Sequence, residues 1–166
     1  MTIAVRHGNT FVVDRGIPTG GVVHRLPKWE MVPFGQDKKV MSVVVGVGLT
    51  SVAQRLVNWA KDTHLDRDKF PDDLRATNCQ AYLLAFVPII GEACVFRYEN
   101  TPDCVNHGED SCAFGEGRDF AYGAIYSGGS AVVAAKAACF YSPHCAGPLD
   151  AFTWDGTSIK HVAVTC

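Results

Sequence analysis

The chain has 166 residues, enough for one domain with its own core, and 48% apolar with 19% charged residues is ordinary for a soluble globular protein. A formal net charge of −2 gives no field for holding nucleic acid or an anionic membrane. No apolar run reaches the roughly 18–20 residues of a membrane helix; the nearest, residues 81–90, is short and interrupted by Pro88.

Residues 1–17 read as two β-branched runs about a Gly8-Asn9 turn, a hairpin that begins at once. The segment lacks the charged start and long apolar run of a signal peptide, so the cytoplasm is the expected compartment. Its second residue is Thr2, behind a methionine of the kind an aminopeptidase removes when a small residue follows. A threonine at an ordered N-terminus carries a hydroxyl and a general base, the free α-amine, in one residue.

Pro18-Thr19-Gly20-Gly21 reads as a turn, and residues 22–32 alternate, with Pro27 and Pro33 marking an edge-like stretch. Gly35-Gln36-Asp37-Lys38 signals a turn into residues 40–47, too apolar for a half-exposed strand and so predicted to be buried. Thr50 or Ser51 is expected to cap a helix running to about Asp62, with Val52, Leu56, Val57, Trp59 and Ala60 on its apolar face. Residues 64–73 are charged, contain Pro71, and predict a loop or a short helix. Residues 82–87 and 93–98 read as strands either side of a Pro-Ile-Ile-Gly-Glu connection, and the polar stretch 100–117 leaves room for one more.

Residues 120–126 read as a strand that runs into Ser127-Gly128-Gly129-Ser130. An alanine-rich helix follows over 131–140, which Pro143 must end. A second helical piece is expected near 148–154 and a final strand over Ile159–Val164. No repeat or low-complexity segment interrupts this order, which favours a single layered α+β domain over residues 1–166, its helices packed on antiparallel sheets.

Seven cysteines stand at positions 79, 94, 104, 112, 139, 145 and 166. An odd number without a secretion signal argues against a disulfide framework and for reduced, buried thiols. A zinc site wants two close ligand pairs, and Cys104-x2-His107-x4-Cys112 offers one, so no metal is expected. The six histidines are scattered, with no Ser-His-Asp or Cys-His arrangement.

Three stretches together resemble the proteasome β-type subunits, in size and style closest to the bacterial HslV peptidase. They are Thr2-Ile3-Ala4-Val5 with its hairpin through Val12-Val13-Asp14-Arg15 to Thr19-Gly20, Val43-Val44-Val45-Gly46 running into a helix, and Ala124-Ile125-Tyr126-Ser127-Gly128-Gly129 opening an alanine-rich helix. The resemblance implies an N-terminal nucleophile hydrolase fold, a four-layer αββα sandwich of two antiparallel sheets between helical layers. It implies a threonine peptidase that needs no cofactor, acts on peptides or unfolded proteins, assembles as a ring-forming homo-oligomer, and has room for an AAA+ unfoldase as partner.

Carried over residue by residue, Thr2 is the nucleophile once Met1 is gone, and Asp14 is the acidic residue after the second strand. Lys28 is the lysine beside the nucleophile, Ser127 orients the amine, and Gly46 gives an N–H to the oxyanion. For the family's further acidic residue and serine, Asp150, Asp155 and Ser158 compete. Each residue has a plainer role open to it: Asp14 as a turn residue, Lys28 as a solvated lysine, Ser127 as an N-cap. The alternative to a peptidase is a catalytically inactive protein on the same scaffold, kept for assembly or partner binding.

Overall fold

The two opening β-branched runs pair with each other. The computed structural model describes residues 2–19, 22–25, 28–34, 39–75, 81–89, 92–108 and 110–166. Strand β1 (Ile3–His7) turns at Gly8, φ +57°, into antiparallel β2 (Thr10–Asp14). A short two-stranded ribbon, β3 (Gly16–Thr19) with β4 (Val22–Arg25), comes next. Then follow β5 (Trp29–Phe34), β6 (Val40–Gly48), α1 (Thr50–Thr63), a single 3-10 turn and α2 (Asp72–Arg75). The rest of the chain runs β7 (Ala81–Ile89), β8 (Glu92–Tyr98), β9 (Cys104–His107), β10 (Ser111–Gly115), α3 (Arg118–Tyr126), α4 (Ala131–Tyr141), β11 (Leu149–Trp154) and β12 (Ile159–Val164). Met1, the turn glycines Gly20 and Gly21, Gly35 to Lys38, the Ile90-Gly91 connection and Cys79 lie outside the described residues.

The chain is α+β and divides into two compact units, Met1–Lys28 with Glu109–Cys166, and Trp29–Gly108. In the second unit five antiparallel strands stand in the order β5-β6-β7-β8-β9. Strand β6 is the buried strand its apolarity predicts, with Val43, Val44 and Val45 each 0% exposed. Pro33 sits on β5 at the sheet edge, the kind of strand in which a residue without an N–H is tolerated.

Helix α1 lays Leu56, Val57, Trp59 and Ala60 into a core with Val44, Leu83, Ala85 and Tyr98. The Trp59 ring meets Phe70 and Tyr98 edge-on, at 4.9 and 5.7 Å between centroids, while its Nε1 donates to the Asp66 carbonyl at 3.1 Å. Each such large side chain contributes about 1.5–3 kcal/mol by leaving water. The expected cap at Thr50 or Ser51 is corrected: Leu49 holds the N-cap position with no side-chain bond, so packing rather than capping fixes this helix start.

In the first unit the antiparallel order is β10-β1-β2-β11-β12. Helices α3 and α4 pack on this sheet, α4 against β1 and β2, α3 against β1 and β10. Ala131, Ala134, Ala135 and Ala138 form the inner face of α4, small enough to bring the helix close over Ile3, Val5 and Val12.

Three expectations are corrected here. The stretch 100–117 holds two strands, β9 and β10. Residues 120–126 are helical, within α3, because Ala121 and Ile125, four apart, face the core while Phe120 and Tyr126 face out. Residues 149–154 are strand β11, because this segment lies between β2 and β12 and completes both ladders. Among the described residues no helix is long and apolar enough to cross a membrane, and no three His, Cys, Asp or Glu side chains are grouped to hold a metal ion.

Candidate active site

Strand β1 lies between two partners, so the backbone just after Thr2 is held on both sides: Ile3 stands opposite Gly115 of β10, and Ala4 opposite Val13 of β2. Thr2 itself is buried, 6% exposed. Its neighbour Ile3 donates its N–H to Asp14 Oδ1 at 2.9 Å. Lys28 Nζ reaches the same carboxylate, at 3.0 Å from Oδ1 and 3.1 Å from Oδ2, and the Ala146 N–H donates to Oδ2 at 3.3 Å. Asp14 is 0% exposed and the Lys28 side chain 8%. Asp14 is therefore a buried carboxylate whose two oxygens both accept a lysine and a backbone amide.

Burial dominates the electrostatics of this pair. It pushes the Asp14 carboxyl above its usual 3.8, although Lys28 and the Ile3 and Ala146 amides pull the other way. It likewise pushes the Lys28 ammonium below its usual 10.5, against the attraction of Asp14.

The turn from β10 into α3 is Gly115-Glu116-Gly117, with φ +93° and +84° at its two glycines, a conformation that side chains on those residues would strain. This turn adjoins the start of β1 through the Ile3–Gly115 pair. Behind it stands the loop after α4. Cys145 Sγ donates to the Glu116 carbonyl at 2.7 Å, and a Cβ on Gly117 would lie 3.2 Å from both Cys145 Sγ and Ser142 Cβ. Burial raises the Cys145 thiol to about 11, so it is protonated and able to donate.

Reading the sequence did not single out Glu116 or Ser142, and took Cys145 as structural only. The usable signal was a Gly-x-Gly immediately ahead of a helix whose spacing was mistaken for a strand's.

The other expected residues have these surroundings. Ser127 is the exposed C-cap of α3, its Oγ donating to the Gly123 carbonyl at 2.9 Å. The Ser-Gly-Gly element therefore joins one helix to the next rather than a strand to a helix, and the N-cap of α4 is Ser130, which accepts from Val133 N at 3.3 Å. Gly46 lies on β6 in the second unit, where a Cβ would come within 2.8 Å of the Ala53 carbonyl oxygen; close strand–helix packing is the structural reason for glycine there.

Asp150 is buried on β11 and bound by Arg15 (Nε 2.7 Å, Nη2 2.5 Å) and by His161 Nε2 at 2.6 Å. Asp155 accepts from Thr157 N, Thr157 Oγ1 and Ser158 N at 2.8, 2.7 and 2.9 Å. The Thr157 hydroxyl and these amides hold its carboxyl well below the usual range, so Asp155 and Ser158 shape the exposed β11–β12 turn.

The chain shares its fold with solved Anbu structures. An Anbu (Gly-1) mutant from Hyphomicrobium sp. strain MC1 superposes with a TM-score of 0.70 at 12% identity, over 100% of this chain and 88% of that one. Anbu (ancestral beta-subunit) from Yersinia bercovieri gives 0.69 at 17% identity, over 99% and 86%. A further Anbu structure from the Hyphomicrobium strain gives 0.67 at 12%, over 99% and 87%.

No protein-family model matches the chain, and no curated protein matches it. The resemblance to proteasome β-type subunits and HslV is corrected accordingly: no family model carries it, and the fold is the one seen in Anbu.

Proposed function

We propose that this chain is an N-terminal nucleophile hydrolase of amide bonds, a threonine-type peptidase in which Thr2 is the first residue after removal of Met1. The observation that carries the reading is the buried Asp14–Lys28 pair, tied through the Ile3 N–H to the residue following Thr2. Burying two charges rarely stabilises a fold more than apolar residues of the same size would, so chemistry is the better reason for the pair. The reading carries with it the four-layer αββα sandwich expected from the sequence.

In this reading the Thr2 hydroxyl oxygen bonds to the amide carbonyl carbon and passes its proton to the Thr2 α-amine. The amine hands that proton to the departing amide nitrogen as the C–N bond breaks, leaving an ester on Thr2. Water, deprotonated by the same amine, then cleaves the ester and restores the hydroxyl. Lys28 lowers the proton affinity of the hydroxyl, and Asp14 holds the ammonium in place and charged. Intact mass spectrometry is expected to show loss of one methionine together with hydrolysis of small peptide substrates. A uniformly full-length protein has a blocked threonine and no free amine, which would sink the mechanism.

One observation favours the non-catalytic alternative: the Ser127 hydroxyl is exposed and donates within its own helix, to the Gly123 carbonyl. The same mass measurement separates the two readings. For assembly, the reading takes a homo-oligomer, supported by the aromatic outer face of α3 and α4, where Tyr126, Phe140 and Tyr141 are 85%, 81% and 63% exposed. Light scattering is expected to give a mass above the 17.9 kDa of one chain; a monomer at every concentration would contradict it.

A further inference from the structure

Helix α4 turns its alanine face to the sheet, and Cys139, next to the buried Ala138, lines a groove on the flank of the helix. The groove measures about 890 Å³ and runs between α4, the loop through Cys145 and Gly147, and the residues Thr165 and Cys166 that follow β12. Three of its lining residues are thiols: Cys139, Cys145 and Cys166. Their positions are unequal. Cys145 is buried and donates to the Glu116 carbonyl, whereas Cys166 is exposed and Cys139 half-buried. The Cys166 side chain occupies the space over Gly147 that a Cβ there would fill, so the glycine admits this thiol to the groove. Cys139 on α4 and Cys166 after β12 thus line the same groove.

We infer that Cys139 and Cys166 are a thiol–disulfide exchange site, which a small-molecule disulfide such as oxidised glutathione converts into a bridge between α4 and the segment after β12. The exposed Cys166, as thiolate, attacks one sulfur of the small disulfide and releases the first glutathione thiolate. Cys139 gives its proton to solvent and attacks the Cys166 sulfur of the mixed disulfide, releasing the second. In sum two protein thiols and one oxidised glutathione become one protein disulfide and two reduced glutathiones.

Burial, with Asp14 and the other thiols nearby, raises the Cys139 thiol, so the reduced pair gains nothing from a stable thiolate and the bridge resists reduction. Closing the bridge fixes the rim of the groove opposite Ala146, the residue whose N–H holds Asp14. The site does not depend on Thr2 being catalytic.

The test equilibrates the full chain in glutathione buffers of graded ratio, quenches with acid, alkylates, and reads intact mass and cross-linked peptides. A product lighter by two hydrogens, with a peptide joining Cys139 to Cys166, is expected in the wild type and in Cys145→Ser, and is absent from Cys166→Ser. The bridged form should melt higher by about 5 °C, since it closes a loop through β11 and β12. A glutathione adduct on Cys166 without a cross-link, a bridge to any other cysteine, or loss of the bridge in Cys145→Ser would each overturn the assignment.

Discussion

Asp14→Asn or Lys28→Met alone is expected to cost about 3–5 kcal/mol of stability, and the double variant to lie within about 1–2 kcal/mol of wild type. Each single change strands the other charge in a site where Asp14 is 0% and Lys28 8% exposed. The double change removes both charges, and asparagine keeps an oxygen for the Ile3 N–H. Urea unfolding of the four proteins measures the coupling directly; losses that simply add would show that the two side chains do not act as a pair.

The shifts of the two groups reflect the desolvation cost of the intact pair, the cost that the double variant relieves. A carboxyl raised above 3.8 contributes stability that is present below 3.8 and lost as pH climbs through its folded value. An ammonium lowered from 10.5 contributes stability that is present above 10.5 and lost as pH falls through its folded value. Between those limits both groups are charged at a cost, which is the cost the double variant removes.

Thr2→Ala should remove peptide turnover, a loss of at least about 10³-fold, with fold and assembly unchanged. The substitution deletes a hydroxyl and a methyl from a 6% exposed residue that lies ahead of β1 and leaves every ladder partner in place. Thr2→Ser keeps the hydroxyl and should keep measurable activity. Lys28→Met should fall in between, losing about 10²–10³-fold in kcat, because the amine and the hydroxyl remain while the charge that tunes them is gone. Turnover by Thr2→Ala within a few-fold of wild type would end the proposal of an N-terminal nucleophile, whatever the fold.

The hairpin, the buried strand β6, helix α4 and the last strand could be read from the sequence because each carries its own period, and Gly8-Asn9 and Pro143 mark their ends. Asp14 and Lys28 were each singled out by resemblance; no spacing rule joins two residues separated by a ribbon into the pair that the structure shows. What misled was local. Phe120, Tyr122 and Tyr126 have the aromatic character of a strand, yet Ala121 and Ile125 set the helical face, and packing on β1 and β10 decided it. Taking α3 for a strand moved the strand-to-helix turn from Gly115-Glu116-Gly117 to Ser127-Gly128-Gly129 and passed over the Cys145–Glu116 bond. Residues 149–154 misled in the opposite direction: a helical piece was expected, and pairing with β2 and β12, with Asp150 bound by Arg15 and His161, makes the segment a strand.

The strand order β10-β1-β2-β11-β12 also governs when the protein can become itself. Its second unit is one uninterrupted stretch, Trp29–Gly108, whereas the first joins residues from both ends of the sequence. On the ribosome the β1–β2 hairpin emerges ahead of that stretch and must wait through the whole of it before β10 and β11 exist to flank it. Such distant pairings are slow to close, and an apolar hairpin with two open edges is the species most exposed to wrong partners meanwhile. Chaperone demand during synthesis should therefore concentrate on the waiting hairpin, the same element that leads from Thr2 to Asp14.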